Sequence, residues 1–240
     1  MSFNTWTPLE VSSKQFHWRG KAWRMVEAQQ YAATMKIVDT RDEQDQLEAL
    51  LENSKPRLSD HFLGLHYLLA TPFRYQPLKQ GSRFRGVGDD GVFYCAESAL
   101  TAGIELGYWR WRFLIDSVGL NEIEPVTHTA FSVDLSAQAI DLRKEPFLKN
   151  QSKWHHPIDY GPTQQLANTV RKTDVGIIFY QSVRNPEPSW CAAVIHPKTF
   201  ARQKPIGQMQ TWLMKVSHKY LTLRSEIELI QISTKHWQLQ

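Results

Sequence analysis

The stretch SRFRGVGDDGVFYCAESALTAGIEL, residues 82–106, contains the side chains with the clearest chemical potential. Arg83 and Arg85 precede a glycine-rich loop, Tyr94 lies near the end of a strand-like run, and Glu105 follows on a helix. An arginine can bind phosphate, an aromatic ring can stack on a base or sugar, and a half-buried carboxylate can stabilise positive charge. The set therefore suits a dinucleotide whose glycosidic bond is broken.

Glu105 lies beside an apolar stripe on the helix that is predicted to carry it. Ser98 is a suitable N-cap for a helix over residues 99–113. Four apolar side chains repeat along it at helical spacing and are predicted to face the core: Ala102, Leu106, Trp109 and Phe113. At about 100° per residue, Glu105 lies about 40° from Trp109. The plain alternative is a boundary residue whose carboxylate reaches water or an arginine.

Strands are predicted on both sides of this helix in the chain. KAWRMVEAQ (21–29) and VFYCA (92–96) precede it, and THTAFSVDL (127–135) follows it. The apolar run DVGIIFYQSV (174–183) predicts a strand ending at Gln181 and Ser182, with WCAAVIH (190–196) as its hairpin partner. The tail LTLRSEIELIQI predicts one last strand.

The remaining segments are predicted as a lead-in and helices. Residues 1–20 are predicted to be irregular. A helical insertion is expected at about 40–70, with a first helix capped by Asp39 or Thr40 and a second stopped before Pro72. PTQQLANTVRKT predicts a helix with Pro162 in its first turn. The segment SKWHHPIDYGPT before it is predicted to be a polar loop.

Composition sets broad limits on the class of protein. The chain has 240 residues, 42% of them hydrophobic, and a formal net charge of +4 from 28 Lys and Arg against 24 Asp and Glu. This is ordinary for one globular domain and does not require nucleic acid. No signal-peptide stretch or membrane span is recognised, so a cytoplasmic location and no membrane partner are expected. Cys95 and Cys191 are then expected to be reduced.

Two other motifs have ordinary structural explanations. The GVGDDG loop (86–91) leads into a strand rather than a helix, which favours a hairpin-type turn. Adjacent His155 and His156 point in different directions on regular structure and chelate poorly, so a surface loop is favoured and no metal is expected.

The run YWRWRF, residues 108–113, alternates aromatic side chains with Arg110 and Arg112, as a single-strand nucleic-acid binder does. On a helix, Trp109 and Phe113 fall on the predicted core face and the arginines fall elsewhere. A packed helix with a solvated basic face is therefore favoured, and no direct contact with nucleic acid is expected. A nucleic-acid binder remains a distant alternative.

Three segments, AWRMVEA, GSRFRGVGDDGVFYCAESALTAGIE and GIIFYQSVRNP, resemble the RES-domain family, the toxins of Xre–RES toxin–antitoxin pairs. With the connecting segments, the resemblance spans about 24–200. Arginine, tyrosine, glutamate and serine of the family motifs fall on Arg83, Tyr94, Glu105 and Ser182, which the resemblance implies are catalytic. The loop after Arg83 is one residue longer than in compact members, which leaves Arg85 as a second candidate. An arginine of the family's first strand falls on Arg24.

The resemblance implies a single α+β domain over 1–240, with an ADP-ribosyltransferase-like mixed core of strands, flanking helices and a cleft for NAD. NAD would be the substrate, bound by Arg24, Arg83, Tyr94 and Ser182, with no metal. The partner implied is a cognate Xre-like antitoxin, and the pair can assemble into a larger oligomer.

The same resemblance implies that the enzyme cleaves the nicotinamide–ribose bond of NAD by hydrolysis or phosphorolysis and thereby arrests growth. Arg83 would hold the pyrophosphate and Tyr94 would stack on the nicotinamide or ribose. Glu105 would stabilise the ribose cation, and Ser182 would hydrogen-bond the ribose or a phosphate. One alternative is an ADP-ribosyltransferase that modifies a host protein, and another is a noncatalytic binding module that keeps the fold.

Overall fold

Eight strands form one mixed sheet in the computed structural model, which describes residues 6–28, 38–56, 62, 64–75, 81–204 and 207–238. The order of strands across the sheet is β1-β2-β5-β4-β3-β6-β7-β8. β3 and β4 are parallel, and the other pairings are antiparallel. The strands are β1 (Phe16–Glu27), β2 (Phe93–Ala96), β3 (Glu122–Asp141), β4 (Val175–Gln181), β5 (Trp190–Val194), β6 (Met209–Ser217), β7 (Tyr220–Arg224) and β8 (Leu229–Ser233).

A second pairing closes part of the sheet into a ring. β1 pairs with β3 from Phe16, opposite Ala139, to Glu27, opposite His128. This joins β1, β2, β5, β4 and β3 in a circuit, and β6, β7 and β8 extend from β3. Each ring strand therefore has a paired neighbour on both sides, although β1 and β2 meet only where Trp23 lies opposite Ala96.

Helices flank this sheet, and the longest lies across its centre. α4 packs against β1, β3, β6 and β7. The predicted fold class, a single α+β domain with a mixed sheet and flanking helices, is therefore confirmed. The helices of the described residues are α1 (Pro8–Ser12), α2 (Arg41–Ser54), α3 (Tyr67–Arg74), α4 (Ala99–Asp116), α5 (Gln151–Trp154), α6 (Gly161–Val170) and α7 (Lys235–Gln238).

Most elements predicted around the site are confirmed; β1, β3 and α4 are longer than predicted, and β2, β4 and β5 are shorter. Ser98 caps α4, since the amide of Thr101 donates to its Oγ at 3.1 Å. β4 and β5 form the predicted hairpin, with Tyr180 opposite Cys191. α6 has Pro162 in its first turn, as expected.

The N-terminal segment is more regular than predicted. α1 is closed by a capping box, in which the Glu10 amide donates to Thr7 Oγ1 and the Thr7 amide donates to the Glu10 carboxylate. Val11 is fully buried in the core, and β1 already begins at Phe16. The predicted irregular lead-in over 1–20 therefore does not hold for its described part, because a local cap and one buried side chain order it.

Helices α2 and α3 lie in the described part of the segment in which a helical insertion is predicted, at about 40–70. Thr40 caps α2, with the Glu43 amide 3.2 Å from its Oγ1. The predicted stop before Pro72 is wrong, because α3 runs through Pro72 to Arg74. A proline removes one backbone donor, and this short helix continues only two residues beyond it. Residues 57–61, on which part of the predicted second helix falls, lie outside the described residues.

The chain after residue 150 contains more regular secondary structure than predicted. The tail forms two strands, β7 and β8, joined at a turn in which the Ser225 amide donates to the carbonyl of Glu228 at 2.9 Å. β6 and α7 were not predicted. The segment expected as a polar loop contains α5, whose Trp154 is almost fully buried.

No helix among the described ranges has the length and apolarity needed to cross a membrane.

The face of α4 that packs on the sheet differs from the predicted one. Trp111 and Leu114 are buried, whereas Trp109 is 51% exposed and Phe113 is 63% exposed. A Cβ added at Gly107 would lie 2.6 Å from the Leu221 side chain, so this position lets the helix backbone approach β7 closely. The sheet therefore receives the glycine face of α4; Ala102 and Leu106 of the predicted stripe still pack with the core, whereas Trp109 and Phe113 are exposed.

Strand alternation directs the site residues toward α4. In β2, Phe93 and Cys95 belong to a core cluster inside the ring, and Tyr94 packs with the cluster beneath α4. Tyr180 and Cys191 belong to that second cluster as well. Because side chains alternate between the two faces of a strand, Tyr94 of β2, Tyr180 of β4 and Cys191 of β5 all lie on the sheet face that α4 covers.

We predict that Gly91→Ala destabilises the fold. Its added Cβ would lie 2.3 Å from the Cα of Phe73 and 2.4 Å from the Pro72 carbonyl oxygen, so backbone must move. Overpacking of this kind costs about 1–3 kcal/mol of unfolding free energy, measured by urea unfolding. As a control, Gly161→Ala brings its Cβ only to 3.2 Å from the Asp159 side chain. Equal stabilities of the two variants would contradict the close approach.

Candidate active site

A cavity of about 220 Å³ lies between α4 and strands β2, β4 and β5. The structure brings four of the predicted site residues to its wall, namely Arg24, Arg83, Tyr94 and Glu105, and places Ser182 in contact with Glu105. The full lining comprises Arg24, Met25, Ser82, Arg83, Tyr94, Cys95, Ala96, Ala102, Glu105, Leu106, Trp109, Tyr160, Tyr180, Arg184 and Cys191.

The apolar stripe of α4 forms one wall of this cavity. Ala102, Leu106 and Trp109, which were predicted to face the core, line the cavity together with Glu105. The interpretation of the stripe as a core contact is therefore wrong for Trp109 and Phe113. Because the stripe lines the cavity, the Glu105 carboxylate, which lies beside the stripe, lies at the cavity as well.

The Glu105 carboxylate is held through one of its two oxygens. Ser182 Oγ donates a hydrogen bond of 2.6 Å to Oε1, and Cys191 Sγ donates to the same oxygen at 3.7 Å. Both donors are neutral groups. Ser182 donates through a hydroxyl, and burial raises the pKa of the Cys191 thiol well above its usual value, so this thiol stays protonated. These contacts orient the carboxylate without neutralising its charge, and neither uses Oε2.

Ser182 is buried beside Glu105, with only 5% of its surface exposed. Its Oγ donates to Glu105 and accepts hydrogen bonds from the amides of Asn185 at 3.1 Å and Arg184 at 3.4 Å. Ser182 is absent from the described lining of the cavity, and the expected direct contact of this hydroxyl with ribose or phosphate stays a prediction. Its hydrogen bond to Oε1 suits a group that acts through Glu105.

Tyr94 joins the loop before β2 to the strand itself. Its hydroxyl lies 2.8 Å from Ser82 Oγ and accepts a hydrogen bond of 2.9 Å from the amide of Phe84. Burial raises the pKa of Tyr94, so its phenol is neutral. With the hydroxyl engaged, the ring is the part of Tyr94 that can contact a ligand.

Of the two candidate arginines, Arg83 lines the cavity and Arg85 is absent from the described lining. Arg83 Nη1 donates to the carbonyls of Trp154 and His156 at 2.8 and 3.0 Å, and its Cζ lies 4.8 Å from the ring centroid of Tyr160. Arg85 donates to the carbonyls of Asp89 and Tyr75. The structure therefore favours Arg83 as the site arginine.

Arg24 reaches the cavity from β1. Its Nη1 donates to the Tyr94 carbonyl at 2.8 Å, and its Cζ lies 4.8 Å from the Phe93 ring centroid. Burial lowers the pKa of Arg24 to about 10, so it remains a cation at neutral pH. Its guanidinium supports β2 and adds positive charge near the cavity.

Sequence reasoning missed Arg184. This side chain is 2% exposed, and its Cζ lies 3.6 Å from the Tyr108 ring centroid. It donates to the carbonyl of Pro157 and, at 3.2 Å, to the hydroxyl of Tyr160. Arg184 lies in the loop after β4, two residues beyond Ser182 in the segment GIIFYQSVRNP, and that closeness to Ser182 is the sequence signal that could have identified it. Tyr160 lies in a loop and gave no comparable signal.

The charged side chains that line the cavity are three arginines, Arg24, Arg83 and Arg184, and one carboxylate, Glu105. Burial raises the pKa of Tyr180 well above its usual value, so this phenol is neutral as well. The cavity can therefore attract an anionic ligand and place a single negative charge beside it. Within the part of the chain that the structure describes, no group of three His, Cys, Asp or Glu side chains is arranged to hold a metal ion.

Comparison with known proteins links this site to one family. A family model described as the RES domain matches residues 57–217, a range that includes Arg83, Tyr94, Glu105 and Ser182 but not Arg24. No curated protein sequence matches the chain. Among solved structures, the MbcT–MbcA toxin–antitoxin complex of M. tuberculosis is similar, with 11% identity and a TM-score of 0.48 over 97% of this chain and 94% of that chain.

Proposed function

The chain belongs to the RES-domain family, and on that premise we propose that it is the toxin of a toxin–antitoxin pair that degrades NAD. The reaction proposed is cleavage of the bond between nicotinamide and ribose. The observation that carries this proposal is the Glu105 carboxylate, held by Ser182 in a cavity whose other charged side chains are arginines.

The proposed chemistry needs little acid catalysis. Nicotinamide leaves NAD as a neutral molecule, and the ribose carbon becomes oxocarbenium-like. Glu105 would stabilise that positive charge or hold a ribose hydroxyl through Oε2. Water would then give ADP-ribose and a proton, and inorganic phosphate would give ADP-ribose 1″-phosphate.

The other residues would bind and orient the dinucleotide. Arg83 and Arg184 would attract its pyrophosphate, and Arg24 would add to the positive field. The ring of Tyr94 would stack on the nicotinamide or ribose. Ser182 would position Glu105 rather than contact the substrate, which revises the role that the resemblance implies for it.

A second candidate function is transfer of ADP-ribose to a host protein. Both functions share the first half of the reaction and differ only in the acceptor. The half-exposed ring of Trp109 at the edge of the cavity offers a surface on which a protein acceptor could dock.

The test is to mix the purified chain with NAD, with and without phosphate, and to identify the products by mass. Hydrolysis predicts ADP-ribose in both mixtures, and phosphorolysis predicts ADP-ribose 1″-phosphate only when phosphate is present. Adding host lysate and measuring a mass increase on its proteins identifies the transferase. NAD left intact in every mixture would overturn the proposal.

We predict that Arg83 contributes to NAD binding and that Arg85 does not. A charge-assisted hydrogen bond contributes about 1.5–3 kcal/mol, so Arg83→Ala should raise the KM for NAD at least tenfold. Arg85→Ala is the matched control, since it also removes a buried arginine that donates to two carbonyls. Its KM should remain within about twofold of wild type. A rise in KM confined to Arg85→Ala would reverse the assignment.

A further inference from the structure

The loop between β4 and β5 carries two groups of the site and is held from outside by α7. The loop runs from Ser182 to Ser189, with the Ser182 amide donating to the Ser189 carbonyl at 2.8 Å. Ser182 orients Glu105, and Arg184 lines the cavity. Any element that fixes this loop therefore acts on the site.

Two side chains of α7 converge on one backbone atom of this loop. The carbonyl oxygen of Arg184 lies 2.7 Å from His236 Nε2 and accepts a hydrogen bond of 2.9 Å from Trp237 Nε1. The indole N–H of Trp237 donates to this carbonyl, and His236 donates to it when Nε2 carries the proton. His236 Nδ1 faces a second carbonyl, that of Ser233, at 2.9 Å, so a neutral ring donates to one of the two carbonyls and a protonated ring donates to both. Trp237 is buried, and its ring centroid lies 5.6 Å from that of Tyr108 on α4.

This anchored carbonyl is close in the chain to the group that orients Glu105. The amides of Arg184 and Asn185 donate to Ser182 Oγ, which in turn donates to Glu105 at 2.6 Å. Release of the carbonyl would leave a buried acceptor without its partners and let the loop shift. The hydroxyl that orients the carboxylate would move with it. The Arg184 side chain would shift less, because Tyr108, Pro157 and Tyr160 hold it separately.

We propose that His236 and Trp237 are positioning residues that set the orientation of the Glu105 carboxylate through the 182–189 loop. This inference rests on the proposed function, and it extends the site to a helix that lies beyond the residues 57–217 of the family match. His236 and Trp237 hold the loop against α7, and the Trp237 ring in turn contacts Tyr108 of α4.

The test compares Trp237→Phe, alone and combined with His236→Ala, against Trp111→Phe. Trp111 is a matched control, because it is equally buried, lies 5.7 Å from Trp237 between ring centroids, and donates its indole N–H to the carbonyl of His218 instead. Loss of both donors should lower kcat for NAD cleavage about tenfold with KM within about twofold. Trp111→Phe should leave both constants within about twofold.

Hydrogen exchange of the 182–189 amides gives a second readout that does not need turnover. The Trp237 variants should exchange faster there than wild type and Trp111→Phe. Unchanged exchange, or faster exchange with an unchanged kcat, would overturn the positioning role. A wild-type chain that leaves NAD intact would instead overturn the proposed function, and the exchange rates would then decide alone whether α7 holds the loop.

Discussion

Replacing Glu105 with glutamine is expected to lower the rate of NAD cleavage by about 10²–10³ without unfolding the chain. Glutamine has the same shape but no charge, so it cannot stabilise an oxocarbenium-like ribose. Its amide oxygen can still accept the hydrogen bond that Ser182 donates to Oε1 at 2.6 Å. The loss should therefore fall on kcat, measured as nicotinamide release at saturating NAD.

The matched control is Glu124→Gln, the same change at an exposed residue of β3. Its rate should equal that of wild type, and both variants should unfold at the urea concentration of wild type. A Glu105→Gln chain that cleaves NAD at the wild-type rate would remove this residue from the mechanism.

Induction of the chain in a bacterial host is expected to drain the host's NAD and stop growth. At a typical turnover of about 10 per second, each chain would cleave about 600 NAD molecules per minute. Such an enzyme needs restraint, and an antitoxin that covers the cavity would supply it. Since the lining holds three arginines, an inhibiting segment of the antitoxin would present a carboxylate to them.

The measurement is host NAD after induction of wild type, of Glu105→Gln, and of wild type together with its antitoxin. NAD should fall only in the first culture. If NAD stayed constant in all three while growth still stopped in the first, NAD degradation would not be the cause. ADP-ribosylation of a host protein would then become the leading proposal.

Local sequence patterns were enough to predict the elements that carry the site. The short apolar runs VFYCA and GIIFYQ predict β2 and β4, and Ser98 marks the start of α4. The face that α4 presents to the sheet could not be predicted in this way. A hydrophobic stripe has the same sequence pattern whether it packs on a core or lines a ligand cavity. Gly103, where an added Cβ would lie 3.0 Å from Met25 of β1, and Gly107 mark the face that packs on the sheet, but glycines form no hydrophobic pattern.

Part of the cavity lining was predicted from the sequence, whereas Arg184 and the contacts between the residues were not. The residues Arg83, Tyr94 and Glu105 meet at one cavity as expected. The contact between Ser182 and Glu105 joins residues 77 positions apart and determines what Ser182 can do. No pattern within a short window contains such a contact, and the same holds for α7, whose hold on Arg184 spans 52 and 53 positions.

The most direct test of the central claim is nicotinamide release by the purified chain in excess NAD, because both proposed acceptors, water and phosphate, release nicotinamide. The wild-type chain is expected to release many molecules of nicotinamide per chain, and Glu105→Gln almost none. Wild-type release no greater than that of Glu105→Gln, in the presence and in the absence of phosphate, would contradict the claim that this cavity cleaves NAD.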